Sequence, residues 1–226
     1  MRASLMNPYS FAVITSAMTY QTVVSDATAA TTYDFNTTSI GTAPAGGNKR
    51  YVVILGGGNK GSNIGAFSAV NFNAEAGTIV LQSEGDSAGG SHHSGVIAYK
   101  EINTGTTADI QVVITSPGPD RLAITVITIE TNGTIAVLDT GVDSGTNPTA
   151  TVDTVATVGK VVGVWLNRDA AATWTNATEH TDTQWDGSAA RISVASMTPN
   201  GATEAISVTS TPPSTSAFLV ASFTFT

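Results

Sequence analysis

Apolar and polar positions change places along this chain in short stretches separated by turn residues, the pattern of many short strands. Tyr51-Val-Val-Ile-Leu55 is a continuous apolar run, as expected of a strand buried on both faces. Ile110, Val112 and Ile114 alternate with polar neighbours that include Asp109, Gln111 and Thr115, which suits a strand with one wet face. Near the C-terminus Leu219, Ala221, Phe223 and Phe225 alternate with Val220, Ser222, Thr224 and Thr226. The same reading predicts strands near 65–73, 76–83, 94–102, 121–130, 134–139, 159–168, 189–198 and 203–209. Asn132-Gly133 and Asn200-Gly201 predict type I′ turns, because both residues take positive φ cheaply, and Pro117-Gly118-Pro119 separates a further pair of runs. Together these signals predict a meander over 107–139 and a hairpin over 190–209. The polar segment 140–151 reads as a linker, and no repeat of fixed period or heptad seam is present.

Composition sharpens the class. The 226 residues include 36 Thr, 22 Val and 15 Ile against 7 Leu, 4 Lys, 4 Gln and 6 Glu, so β-branched residues dominate and straight-chain helix formers are scarce. Helix bundles and parallel α/β folds are disfavoured, and no helix beyond about two turns is expected. Nine basic against 17 acidic residues give a net charge of −8 with no basic run, which argues against nucleic acid as a partner. Cysteine is absent, which removes disulfides and thiolate chemistry. No apolar run has the length of a membrane helix, and no membrane partner is expected. Phe11–Met18 faintly imitates a signal peptide, but Asn7-Pro8-Tyr9-Ser10 interrupts it, and no secretion signal is read.

Three local patterns imitate catalytic or ligand sites. Gly56-Gly-Gly58-Asn-Lys-Gly61 fits the dinucleotide pattern G-x-G-x-x-G, with Glu75 downstream, yet the residues after it are a poor helix; a glycine-rich loop between strands is expected. Gly85-Asp86-Ser87-Ala88-Gly89 fits G-x-S-x-G and resembles the serine motif of hormone-sensitive-lipase-type esterases. Leu55 stands where that family has His and no helix follows the serine, while a chymotrypsin-like triad fails because all three histidines come after Ser87, so no nucleophile is expected. His92 and His93 with Glu84 and Asp86 match no metal spacing, and a solvated loop is expected there. Among the tryptophans, Trp165 sits in the apolar run Val161–Leu166 and reads as core. Trp174 and Trp185 lie in the polar stretch 172–187 near Asp182 and Asp186, where an exposed indole can stack on a sugar. Glu179-His180-Thr181-Asp182 reads as a polar patch, a cation site or a subunit contact.

The distributed pattern carries a resemblance. Tyr33-Asp-Phe35 and Ser39–Ala43 lead into Arg50-Tyr-Val-Val-Ile54, Asn103–Ile114 is followed by Arg121–Val126, and later come Ala172–Glu179, Ala189–Ser196 and Ser216–Phe223. Roughly from residue 9 to the end, this resembles a group of poorly characterised virion proteins encoded in the structural modules of tailed bacteriophages and prophages. The resemblance implies a jelly-roll-like particle component and carries over no catalytic residue. The expectation is therefore an all-β chain: a two-sheet antiparallel β-sandwich, jelly-roll-like, with a short N-terminal arm or first strand at 1–20 and a single sandwich domain at 21–226. Its expected role is a non-enzymatic capsid decoration or head-fibre subunit without cofactor or metal, part of a virion assembled in the bacterial cytoplasm. Expected partners are the major capsid or tail proteins and further copies of itself, with Tyr9 and Phe11 as contacts of the arm. The alternative is a tail or baseplate module that grips host-surface glycans through His92, His93, Trp174, Asp182 and Trp185.

Overall fold

The computed structural model describes residues 13–84, 92–168, 170–186, 190–211 and 216–226, with no helix among them. The first half of the chain forms β1 (Ser16–Asp26), β2 (Thr32–Ser39), β3 (Lys49–Lys60), β4 (Phe67–Phe72), β5 (Glu75–Ala76), β6 (Thr78–Glu84), β7 (His92–Glu101), β8 (Thr107–Ile114) and β9 (Arg121–Thr131). The second half forms β10 (Ile135–Ser144), β11 (Thr149–Asp153), β12 (Lys160–Asn167), β13 (Ala171–Thr175), β14 (Thr178–Asp186), β15 (Ala190–Met197), β16 (Thr203–Thr211) and β17 (Ser216–Phe225). Every strand pairing is antiparallel.

Four sheets result. The first half gives a five-stranded sheet in the order β1-β9-β3-β7-β6 and a smaller one in the order β2-β8-β4-β5. The second half gives β10-β17-β12-β15-β14 and β11-β16-β13. These orders match strand for strand when β10 is set on β1, β11 on β2, β12 on β3, β13 on β4, β14 on β6, β15 on β7, β16 on β8 and β17 on β9. The chain thus builds one sandwich twice, the second time without β5. Where two sheets were expected, the all-β antiparallel sandwich has four.

Three apolar layers hold the four sheets as a stack. Val52, Ile54, Val96 and Ile124 of the first five-stranded sheet meet Tyr33, Phe72, Ile110 and Val112 of its smaller partner. On its other face Val53, Leu55, Ile97 and Ile127 meet Val164, Leu166, Ile192 and Leu219 of the second five-stranded sheet. Beyond that sheet, Trp165, Phe218 and Val220 meet Val152, Ile206 and Val208. The two larger sheets are therefore inner layers covered on both faces, and the two smaller ones are outer layers. This explains the sequence patterns: β3, β9, β12 and β15 are buried almost throughout, whereas β2, β8 and β11 alternate buried and exposed.

Two glycines let the inner sheets approach. Gly57 and Gly95 pair across β3 and β7. A Cβ on Gly57 would overlap the Ser94 carbonyl and Leu166 Cδ1, and one on Gly95 would overlap Leu219 Cδ1. The Gly56–Gly58 run is thus buried strand rather than the expected loop, and the missing side chains of Gly57 and Gly95 leave room for Leu166 and Leu219 of the opposite sheet.

Two connections in the first half are clamped by Arg50, whose side chain is fully buried. Its Nε donates to Ile102 O (2.8 Å), Nη1 to Ile40 O (3.2 Å), Gly41 O (2.8 Å) and Thr42 O (2.7 Å), and Nη2 to Thr104 O (2.8 Å) and Gly105 O (3.0 Å). Burial lowers the pKa of the guanidinium.

The expected meander and hairpin do not form. β8, β9 and β10 lie in three different sheets, and β15 and β16 lie in two. Among the described residues positive φ occurs at Gly41, Gly46, Gly47, Gly105 and Gly145 and at Thr37, Asn73, Ala74, Thr157 and Asn176, and not at Asn132-Gly133 or Asn200-Gly201. An Asn-Gly pair marks a reversal of the chain, but it does not say whether the next strand joins the same sheet. The expected linker 140–151 is mostly strand, shared between β10 and β11.

Candidate functional site

Because both inner sheets are sealed, contact with other molecules falls to the outer faces, the edge strands and the strand ends. The widest concavity among the described pockets, about 460 Å³, lies on the wet face of the first outer sheet. A cross-strand row crosses its floor: Asn71 Nδ2 donates to Gln111 Oε1 (3.0 Å), and Gln111 Nε2 donates to Asp34 Oδ1 (2.8 Å). Beside it Asp109 Oδ1 accepts from Thr37 N (2.8 Å), while the Asp109 amide donates to Asn73 Oδ1 (2.9 Å). The cleft presents amide and carboxylate edges, but its polar groups largely satisfy one another. It stitches β2, β8 and β4 together.

The second half carries an apolar edge. β10 is an outermost strand, and Val137, Leu138 and Val142 on it are 38%, 42% and 51% exposed. Two carboxylates join this edge to β11. Asp139 accepts from Thr140 N (2.8 Å) and Asp153 N (2.9 Å), and Asp143 accepts from Ser144 N and Thr149 N (both 2.8 Å). The amide bonds from Asp153 and Thr140 hold the Asp139 carboxyl below its usual pKa. Such capping removes N–H groups that an edge strand would otherwise offer to another chain. The sequence marks a strand at 134–139 but reads 140–151 as a Ser/Thr/Gly/Asn/Pro linker, so the bonds by which Asp139 and Asp143 join β10 to β11 are not visible there.

The residues singled out in the sequence are dispersed. Tyr9 and Phe11 lie outside the described residues, as do Asp86 and Ser87. His92 and His93 open β7 rather than a solvated loop, and they face opposite sides of it. His93 is 2% exposed; its Nδ1 lies 3.3 Å from Asn59 Nδ2 and its Nε2 has no partner. Burial, then the charges of His92 and Arg168, push its pKa down to about 4. Trp165 is core, as expected. Trp174 packs on Phe218, with ring centroids 5.7 Å apart, and donates Nε1–H to Ser193 Oγ (2.7 Å). Trp185 is half-buried against the layer between the two inner sheets, on the other side of its own sheet from Trp174. Asp182 pairs with Arg191 and accepts from Ala172 N (3.1 Å), so its charge is met within the chain. His180 stacks on Tyr20 (centroids 6.0 Å), and burial lowers its pKa. The five residues named for glycan contact therefore do not line one pocket.

No family model, curated protein or solved structure matches the chain.

Proposed function

We propose that the protein is a non-enzymatic structural subunit of a tailed-phage virion, carried on the capsid surface as a decoration or head-fibre protein. The observation that carries this reading is the doubled sandwich, which places its most apolar strands between the two halves and makes a block with polar outer faces. In each half the last strand lies between the first and third, with the second and eighth-strand equivalents paired in the opposite sheet. Such a winding supports a jelly-roll-like reading, the one that the resemblance to virion proteins implies. The Val137–Leu138–Val142 row supplies an apolar strip that a neighbouring capsid or tail protein can cover. Over many copies, modest contacts of this kind sum by avidity.

Quantitative mass spectrometry of purified particles, from the phage or induced prophage that encodes the chain, tests the reading. Hundreds of copies per particle indicate the head, and a handful indicate a tail or vertex. Absence from particles overturns the proposal. Deleting residues 1–12 tests the arm with Tyr9 and Phe11; unchanged incorporation assigns the contact elsewhere.

A further inference from the structure

The doubling of the sandwich allows one half to be read against the other. The first strand of each half carries a bulge at the corresponding register: Tyr20 and Thr22 lie opposite Ile127 and Val126, and Val137 and Asp139 lie opposite Phe223 and Ser222. Ile127 and Phe223 both belong to the layer between the inner sheets. Around the first bulge the side chains have partners. Tyr20 stacks on His180, while the bulged Gln21 donates from Nε2 to Thr128 Oγ1 (2.8 Å) and fills the place where a Cβ on Gly41 would fall, in the connection that Arg50 clamps. Around the second bulge Val137 and the bulged Leu138 are exposed, as is Val142 further along β10. Val155, also exposed, stands two residues beyond Asp153, whose amide bonds the Asp139 carboxylate next in sequence to Leu138. The second half thus lacks a cover that the first half has.

We propose that residues 1–12 of the same chain cover this strip in the free protein. The chain enters the described structure beside the start of β10. Asn132, which closely precedes that strand, donates from Nδ2 to Val13 O (2.9 Å) and accepts at Oδ1 from Thr15 N (2.9 Å). Ser16 Oγ donates to Val158 O (2.8 Å), in the same connection as Val155. Twelve extended residues reach about 40 Å and the ten residues of β10 span about 33 Å, so the segment is long enough to follow the whole strip. Its chemistry fits as well. Leu5, Met6, Tyr9 and Phe11 supply apolar area, and Arg2 is its one charged side chain, against Asp139, Asp143 and Asp153 on the flank of the strip. Running back from Val13, Phe11 and Tyr9 serve Val137 and Leu138, Met6 and Leu5 serve Val142, and Arg2 comes last, towards Asp143. Asp139 and Asp143 already hold the Thr140 and Ser144 amides, so the contact is made by side chains rather than by strand pairing. The short tether holds the segment at an effective concentration of about millimolar, where a modest apolar contact suffices. A neighbouring protein then reaches the strip only by displacing the segment, which frees strip and arm together. The inference concerns the free chain and does not rest on the virion reading.

The chain has no cysteine, so Ser4→Cys accepts a single nitroxide, and paramagnetic broadening of amide NMR signals tests the contact. In the full chain the label is expected to broaden Val142, Asp143 and Ser144, at the far end of β10 from Val13. Tyr9→Ser with Phe11→Ser leaves the sandwich intact and should weaken the contact by roughly tenfold or more, the result of losing two covered aromatic side chains. Leu138→Ser, at an exposed position of the strip, should release the same broadening. A mixture of isotope-labelled chain without nitroxide and spin-labelled chain without isotope separates the two possible sources of the arm. Broadening of Val142–Ser144 in that mixture means that a second copy covers the strip, and it overturns the proposal. Broadening confined to residues 13–16 and 131–134, or broadening of β10 that survives the Tyr9 and Phe11 substitutions, overturns it too.

Discussion

Replacing Arg50 by Met keeps a long apolar stem but removes every donor of a side chain that bonds six main-chain carbonyls. The bonds to Ile102 O and Ile40 O are in fully buried surroundings, while those to Gly41, Thr42, Thr104 and Gly105 are part-buried and can recover water. An orphaned buried carbonyl costs about 1–3 kcal/mol, so the two deepest contribute roughly 2–6 kcal/mol. The four part-buried carbonyls add a smaller loss and relief from holding a guanidinium out of water offsets part of the sum, so the net loss should be about 3–5 kcal/mol. For a chain of this length each kcal/mol shifts the melting temperature by about 2–4 °C, so Arg50→Met should melt roughly 6–20 °C lower. Arg50→Lys offers three donors from one nitrogen and should recover less than half of the loss. Hydrogen exchange adds a local signature: the amides of Ile40 and Ile102, bonded to Thr106 O and Arg50 O, should lose protection first. A Met variant melting within about 3 °C of the parent, or full rescue by Lys, would refute the view that the carbonyl cage holds these connections.

Three further outcomes are expected. Gly57→Ala puts a Cβ against the Ser94 carbonyl and Leu166 at the junction of the inner sheets, and urea unfolding should show a loss of about 1–3 kcal/mol or more; an unchanged midpoint would mean the sheets can part freely. His93 has its pKa lowered from 6.5 to about 4, so the unfolded chain takes up its proton first as pH falls. The stability linked to this group is complete above pH 6.5 and declines by roughly 3 kcal/mol towards pH 4, a slope that His93→Gln should flatten in urea midpoints measured across that range. Asp139 behaves in the same sense at lower pH: its contribution is present above its ordinary value of 3.8 and is lost as pH falls through the lower folded value. A carboxyl NMR titration should place that midpoint below 3.8, and the stability difference between the parent and Asp139→Asn should shrink as acid is added.

The inner strands were legible because burial on both faces removes polar positions, leaving runs such as Tyr51–Leu55 and Val161–Leu166. β8 was legible through strict alternation. β2, β11, β13 and β14 were not marked, since Thr, Ser and Asn fill their exposed positions and their buried ones are often small or only half covered. Sheet membership was hidden for a different reason. β1 pairs with β9 and β10 with β17, partners brought together by the closing of the sandwich and invisible to any local turn signal. The doubling left no sequence repeat because each half needs only the same order of buried and exposed positions, which many side chains satisfy. Arg50, one charge before an apolar run, gave no sign of the carbonyls that gather around it from positions 40–42 and 102–105.

Residues 132–134 join the last strand of one sandwich to the first strand of the next. Two separate copies of such a sandwich would meet through their large sheets only above a threshold concentration, and dilution would part them. Here the association is intramolecular, held at an effective concentration that dilution cannot change. The melting temperature should therefore not vary with protein concentration through this contact. Each chain delivered to a site arrives with both sandwiches already in equal number, so no step of assembly has to match one to the other.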